Sequence, residues 1–401
     1  MNRAHASDAI AAARGNYPAL ERWTYLDVAG RGVLSRTARA ALDAHLDGRM
    51  MDGADKERFF ALIERTRSRF ARLIHAAPDE VAFTKNVSEG LNMIATAFHW
   101  KRGDNVILCP ELEHPNNIYP WLNMRRYGLE VRTVPARGGT IPVEDITARI
   151  DGATRVVTVS TVTFAPGFRT DVSALGRACR DRGVMLLVDA AQSAGVLHTD
   201  VARDQIDALA VSTQKGLLGL YGMGFLYCRR EWAERLTPAY LARFGVDLGD
   251  AHEATMGGDD YRLMPGARRF DLGNYNFAAA AAVDASMAEL LEIGTRRIED
   301  HVTRLACALA QGFLDLGLPV PGGAPGPHLA NIVPLGEMGK GSHYGTDDER
   351  YNRLYAHLAG SGVKLSIRRG VLRFSFHVYN DMDDVARVLE LTKRFVAAGG
   401  R

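Results

Sequence analysis

The chain has 401 residues, 47% apolar and 24% charged, with a formal net charge of +2, which suits one large domain plus a smaller one. Near-balanced charge gives no reason to expect a nucleic acid or an anionic membrane as partner, and no apolar run approaches the ~20 residues of a membrane-spanning helix. Cys109, Cys179, Cys228 and Cys307 show neither CxxC spacing nor a histidine cluster, so they read as free thiols of a cytoplasmic protein without a metal site.

Residues 1–20 read as a short helical lead-in, without the apolar core of a signal peptide because Asp8 and Arg14 interrupt it. Trp23 to Gly32 reads as a strand and turn before a helix from about Ser35; Asp27 there is either a solvated turn acid or a pocket contact. Lys56 to Ala76 has helical periodicity, with Phe59, Phe60, Ile63, Phe70 and Leu73 on one core face. Val81-Ala82-Phe83-Thr84 is a short strand feeding a helix through Asn86-Val87-Ser88-Glu89-Gly90. Unpaired amides and a positive dipole end make that junction suited to phosphate, although plain capping by Asn86 or Ser88 needs no ligand. Asp104 to Cys109 and Thr154 to Thr161 are further buried strands.

The stretch from Val184 to Tyr227 organises the rest. Met185 to Val188 is an apolar run too short for a helix, as expected of a strand buried on both faces of a parallel sheet. It ends on Asp189, where open α/β sheets place their ligands. A second such strand, Ala208 to Val211, runs into Ser212-Thr213-Gln214-Lys215-Gly216. Gly216, Gly219, Gly222 and Gly224 follow and permit close backbone approach, but Gly222 to Gly224 is too weak a G-x-G to mark a dinucleotide. A buried lysine near a buried acid, each at a strand end, suggests a Schiff base opposite a protonated ring nitrogen, the chemistry of pyridoxal phosphate.

Beyond residue 224, Phe225 to Arg230 reads as an edge strand. Gly245 to Pro265 lacks periodicity and reads as a long functional loop. Asn276 to about Leu316 reads as long helices, with Gly294 a possible break, leading to a small C-terminal domain. Arg373, between Leu372 and Phe374, sits in an apolar strand where a guanidinium needs an anion. His377 reads as surface or domain packing. Arg368 and Arg369 form a basic pair of which one is a candidate to reach the pocket.

VDAAQSAG followed by D-x-L-A-V-S-T-Q-K-G resembles the class-V aminotransferase group of fold-type-I pyridoxal-phosphate enzymes, which includes cysteine desulfurases and isopenicillin N epimerase-like proteins. Glu113, His114, Asn117, Pro120 and Trp121 are similar to the desulfurase pattern E-H-x-x-N-x-x-P-W. Arg268 to Asn276 resembles the R-F-E-x-G-T-x-N turn. The resemblance implies an α/β fold: a large domain with a mostly parallel seven-stranded sheet between helices, and a small C-terminal α/β domain. The corresponding division is an N-terminal segment 1–30, a cofactor-binding domain 31–275, and linking helices with the small domain 276–401.

It further implies pyridoxal 5′-phosphate bound through Lys215, with Asp189 on the pyridine nitrogen and His114 stacked on the ring. Many relatives carry His and then Asn where Thr161 and Phe164 stand, which leaves Gln192 to contact the phenolic oxygen. Val87, Ser88, Ser212 and Gln214 fall at phosphate contacts, with Thr213 a weaker candidate. Asn274 stands in the position of a phosphate-contacting Thr from the neighbouring subunit, implying a homodimer with shared sites. Arg373 takes the place of the arginine that binds the substrate carboxylate.

The implied activity is chemistry at the α-carbon of an amino acid through an external aldimine, with Lys215 as proton shuttle. No cysteine lies between Gly322 and Arg373, where desulfurases carry their nucleophile, so persulfide chemistry is disfavoured unless Cys109 or Cys228 is reachable. Transamination is the preferred outcome because it needs no extra residue. The alternatives are a C–S or β-lyase, an epimerase, and a non-catalytic cofactor-binding protein.

Overall fold

A computed structural model of the chain describes residues 10–53, 55–249, 261–339 and 344–399. The expected lead-in helix and the Gly245–Pro265 loop therefore fall partly outside the described residues. What remains of that loop is anchored at its two ends, where Val246–Asp247 pairs antiparallel with Arg262–Leu263.

Seven short strands, apolar and buried except for the edge strand Glu130–Thr133, form one sheet. They are β1 (Val81–Thr84), β2 (Asn105–Leu108), β3 (Glu130–Thr133), β4 (Thr154–Ser160), β5 (Met185–Asp189), β6 (Ala208–Ser212) and β7 (Gly224–Cys228), in the order β1-β7-β6-β5-β4-β2-β3. Every residue of β5, β6 and β7 is buried, as expected where helices cover both faces. β2 to β6 pair in parallel, and only β7 runs the other way. The run from Phe225 is thus not an edge strand: β7 lies between β1 and β6. The physical reason is the short return after Ser212, which can place the next strand only antiparallel to β6. Its fully apolar surface then accepts β1 on the outer side.

Helices α1 (Arg36–Met51), α2 (Lys56–Leu73) and α4 (Phe277–Ile293) pack together, while α3 (Val87–Ala97) follows β1 directly. Ser35 caps α1 and Asn86 caps α3, each accepting from an amide one turn in. On α2, Leu62, Ile63, Phe70 and Leu73 are buried, but Phe59 and Phe60 are only partly so. Helix α4 is buried nearly all round through its alanines, and Gly294 (φ +94°) separates it from α5 (Thr295–Asp315). Arg67, on α2, donates to the Val81 carbonyl at 2.5 Å and ion-pairs with buried Asp271 at 2.7 Å; Asp271 also accepts from the Phe83 amide. This network ties the Arg268–Asn276 turn to β1.

A second sheet, antiparallel, has β10 (Val371–Ser375) between β8 (Ile332–Leu335) and β9 (Ser366–Arg368). The N-terminal segment crosses onto this sheet: Thr24–Tyr25 pairs with Val363–Lys364, and Asp27 bridges to Ser375. Arg14 fastens it by ion pairs to Asp381 and Asp384.

Candidate active site

The parallel strands deliver their carboxyl ends to one edge of the large sheet, where ligands bind in open α/β folds. A cavity of about 370 Å³ opens there. Its walls include Val87, Ser88, His114, Asp189, Gln192, Ser212, Gln214 and Lys215. Eight of the ten expected site residues therefore meet in one place although they span 129 positions of sequence, from 87 to 215. Asn274 does not join them; it lines a neighbouring cavity that shares Lys85 and Gly222 with the first. Arg373 reaches the cavity wall indirectly, through Phe164.

Asp189 ends β5, and its Oδ1 accepts from the Ala191 amide at 2.9 Å. Burial pushes its carboxyl above the usual range, against the opposing pull of that bond and of Lys215. Burial also pushes the Lys215 amine down to about 8; Arg373 and Arg368 lower it further, while Asp189 and Asp27 hold it up. An amine brought this close to neutrality is a nucleophile and a proton carrier.

The backbone at Lys215 is tightly held. A Cβ on Gly216 would lie 2.3 Å from the Ala194 carbonyl oxygen, and one on Gly32 would lie 2.5 Å from the Lys215 carbonyl oxygen, so both positions admit only glycine. Ser286 of α4 donates to the Leu217 carbonyl at 2.7 Å from behind. His377, which the sequence left as packing, is fully buried and its Nε2 lies 2.8 Å from the Gly216 carbonyl. Its Nδ1 accepts from Val378 N, and burial depresses it to about 4, so it is neutral and donates from Nε2. The segment that follows β10 thus touches the lysine loop directly. Thr213 is turned away from the cavity, its hydroxyl bonding to the Leu220 and Met223 carbonyls.

The Glu113-to-Trp121 motif explains how one histidine is presented. Glu113 is fully buried and accepts from Ser160 N and Oγ, both at 2.6 Å, and from Asn117 Nδ2 at 2.8 Å. Asn117 in turn accepts from Thr158 and Trp121. These bonds pin the loop to β4, leaving His114 at the cavity, edge-on to Phe164 at 5.2 Å. Burial and the nearby Asp189 raise the Glu113 carboxyl to about 7, against its hydrogen bonds. Its titration was not legible as a feature of the site, although a glutamate preceding the histidine was the signal.

At the start of α3, the Val87 amide donates to Ser212 Oγ at 2.7 Å and the Glu89 amide to the Asn86 cap. Val87 N–H is therefore already engaged, Ser88 N–H has no intrahelical partner, and the Ser212 hydroxyl hydrogen is left for another acceptor. Gln192 is buried with its Oε1 unpartnered among the described residues. A buried polar atom in that state marks a place for a ligand.

Arg373 is 2% exposed. Its Nε donates to Ser366 Oγ at 3.1 Å and its Nη1 to the Phe164 carbonyl at 2.8 Å. Asp27 lies 3.8 Å from Nη2, so it is no solvated turn acid, yet it is too distant for a hydrogen bond. Burial lowers the guanidinium to about 10, with Asp27 opposing and Arg368 adding to the effect.

Residues 42–335 match the family Aminotransferase class-V. The chain belongs to that family. A probable cysteine desulfurase of Methanothermobacter thermautotrophicus is 38% identical to this class-V enzyme over 60% of the chain and 58% of that protein. One from Pyrococcus abyssi is 30% identical over 83% of each, and an uncharacterised aminotransferase of Bacillus subtilis is 29% identical over 93% and 95%. The solved apo structure of a cysteine desulfurase from Thermococcus onnurineus NA1 matches with a TM-score of 0.83 at 26% identity, covering 96% of this chain and 98% of that one. A cystine C–S lyase in complex with its product, cysteine persulfide, shares the fold (TM-score 0.82, 21% identity, 94% and 99% covered). This class-V enzyme uses pyridoxal 5′-phosphate, and a half-buried lysine at the cavity, a buried acid at a strand end and an unpartnered buried amide fit that group. Among the described residues no helix is long and apolar enough to cross a membrane.

Proposed function

We propose that this class-V enzyme is an aminotransferase acting at the α-carbon of an amino acid. The observation that carries the reading is that Lys215 shares one cavity wall with Asp189, Gln192 and His114. The cofactor, when bound, supplies an electron sink for charge developing at the α-carbon. Lys215 is its covalent attachment point, and once released carries the proton to and from that carbon. With the cofactor bound, Asp189 would pair with the ring nitrogen, Gln192 would serve the phenolic oxygen, and His114 would cover the ring face. Ser88, Ser212 and Gln214, with the Val87 turn, hold the phosphate. Arg373 offers its Nη2 edge to the substrate carboxylate, since Ser366 and Phe164 occupy Nε and Nη1. The protein works in the cytoplasm as a homodimer in which Asn274 reaches the phosphate of the neighbouring subunit.

A C–S lyase is the second reading, favoured by the two relatives at 30% and 38% identity named probable cysteine desulfurases. A thiol-dependent desulfurase is not favoured: Cys109 and Cys228 are fully buried, and burial lifts both thiols, Cys109 to about 11. Incubating the cofactor-loaded protein with an amino-acid panel, while following keto acid, ammonia, sulfide and chirality, separates the readings. Keto acid formed only with a keto-acid acceptor present supports transamination. Sulfide or ammonia without an acceptor replaces it with the lyase.

A further inference from the structure

The face of the small sheet that carries Arg373 carries a second guanidinium. Side chains alternate along a strand, so Ser366 and Arg368 of β9 share a face, as do Val371 and Arg373 of β10. Ser366 pairs with Arg373 and Arg368 with Val371, which makes these four one face. Arg368 and Arg373 are diagonal neighbours, ~7–8 Å apart in an antiparallel pair. The charge of Arg368 bears on both Lys215 and Arg373, adding to the burial that dominates each of their shifts.

A third guanidinium stands at the turn. Arg369 and Gly370 connect β9 to β10 and both have positive φ, +50° and +83°. A two-residue hairpin of that kind prefers Asn-Gly, so an arginine at its first position runs against local preference. Its guanidinium lies 5.3 Å from the centre of the Phe164 ring, and Phe164 lines the cavity beside His114. Arg368 donates to its neighbour's carbonyl, Ile367 O, and lies 6.0 Å from the Tyr344 ring. Among the described residues no carboxylate is within ion-pair distance of Arg368 or Arg369; Glu111 is near enough to be felt by Arg369 but does not pair with it. Both arginines are half-buried. Once Arg373 has taken an α-carboxylate, two half-buried guanidinia remain close by, Arg369 against the cavity-lining Phe164 and Arg368 on the sheet face of Arg373, with no ion-pair partner among the described residues, which is costly away from bulk water.

We infer that the amino acid taken by this site has an acidic side chain, a carboxylate or sulfinate, held by Arg368 and Arg369 while Arg373 holds the α-carboxylate. This rests on the amino-acid reading proposed above. The test is a titration of the cofactor-loaded protein, by its visible absorption, with isosteric pairs: L-aspartate against L-asparagine and L-glutamate against L-glutamine, with L-cysteine sulfinate as a further acid. At least one acid should half-saturate the change at a concentration tenfold or more below its amide. Arg369→Asn gives the turn its preferred residue and so preserves the fold; it should cut the acid-over-amide ratio at least threefold, and Arg368→Gln with it at least tenfold. A responsive protein that takes the amides as readily as the acids, or variants that leave the ratio unchanged, would overturn this inference alone. A protein that responds to no amino acid overturns the amino-acid reading and this inference together.

Discussion

Replacing Arg373 by lysine separates a binding role from a structural one. The side chain is pinned by two neutral acceptors, Ser366 Oγ and the Phe164 carbonyl, and Nη2 is left without a hydrogen bond among the described residues, with Asp27 3.8 Å away. Lysine keeps the charge but has a single nitrogen, so it cannot hold Ser366, Phe164 and a carboxylate in the same geometry. Losing one charge-assisted hydrogen bond removes roughly 1.5–3 kcal/mol. At about 1.4 kcal/mol per tenfold, Arg373→Lys should raise the half-saturating amino-acid concentration by ~10- to 150-fold. The titration uses the visible absorption of the cofactor-loaded protein, whose unperturbed starting band shows that the cofactor remains seated. The matching amine, which lacks a carboxylate, should bind poorly to the wild type and be nearly indifferent to the change. Unaltered amino-acid binding with a lowered melting temperature refutes the reasoning; the arginine would then be structural, and Arg368 or Arg369 the next candidate anchor.

Three further outcomes follow from the geometry. Burial holds the folded Lys215 amine near 8 while the unfolded value is ~10.4, so below pH 8 the folded cofactor-free protein carries a penalised charge that is relieved as pH rises toward 10.4. Cofactor-free Lys215→Met should therefore melt higher than wild type at pH 7, and the gap should shrink between pH 8 and 10.4; a gap that is constant or widening contradicts the burial argument. Arg67→Ala leaves the Asp271 carboxylate buried without its ion pair and should lower unfolding free energy by about 3–5 kcal/mol in urea; a loss below ~1 kcal/mol would show that Asp271 is relieved by water or protonation. If sites are shared, mixing Asn274→Asp with Lys215→Ala subunits should recover activity, because one hybrid site collects both defects and the other neither. Verified subunit exchange without recovery counts against the composite site.

Much of the large sheet was legible in the chain because its strands are local events. A four- or five-residue apolar run ending on Asp189 or Ser212 announces both a buried strand and the polar group at its end. Asn86 and Ser35 announce helix starts, and Gly294 a break, for equally local reasons. The order of strands was not local: β7 carries an apolar run like its neighbours, and only the short connection from β6 and its pairing with β1 put it inside the sheet, reversed. The eight cavity residues could be nominated one at a time by motif, but their convergence depends on the shared direction of the parallel strands. Contacts between the segments around the two sheets were invisible for a stronger reason. His377 meets Gly216 across 161 positions, and Arg373 meets Phe164 across 209; no pattern within either segment encodes the other. A buried histidine and a surface one are the same letter, and so are Asp27 as a turn acid and Asp27 beside a guanidinium. Sequence by itself determined which residues are able to carry chemistry, since charge, ring and amine are properties of side chains. Tertiary structure decided their state, since burial and the partners it brings set the protonation of Lys215, Glu113 and His377 and leave Arg373 one open edge.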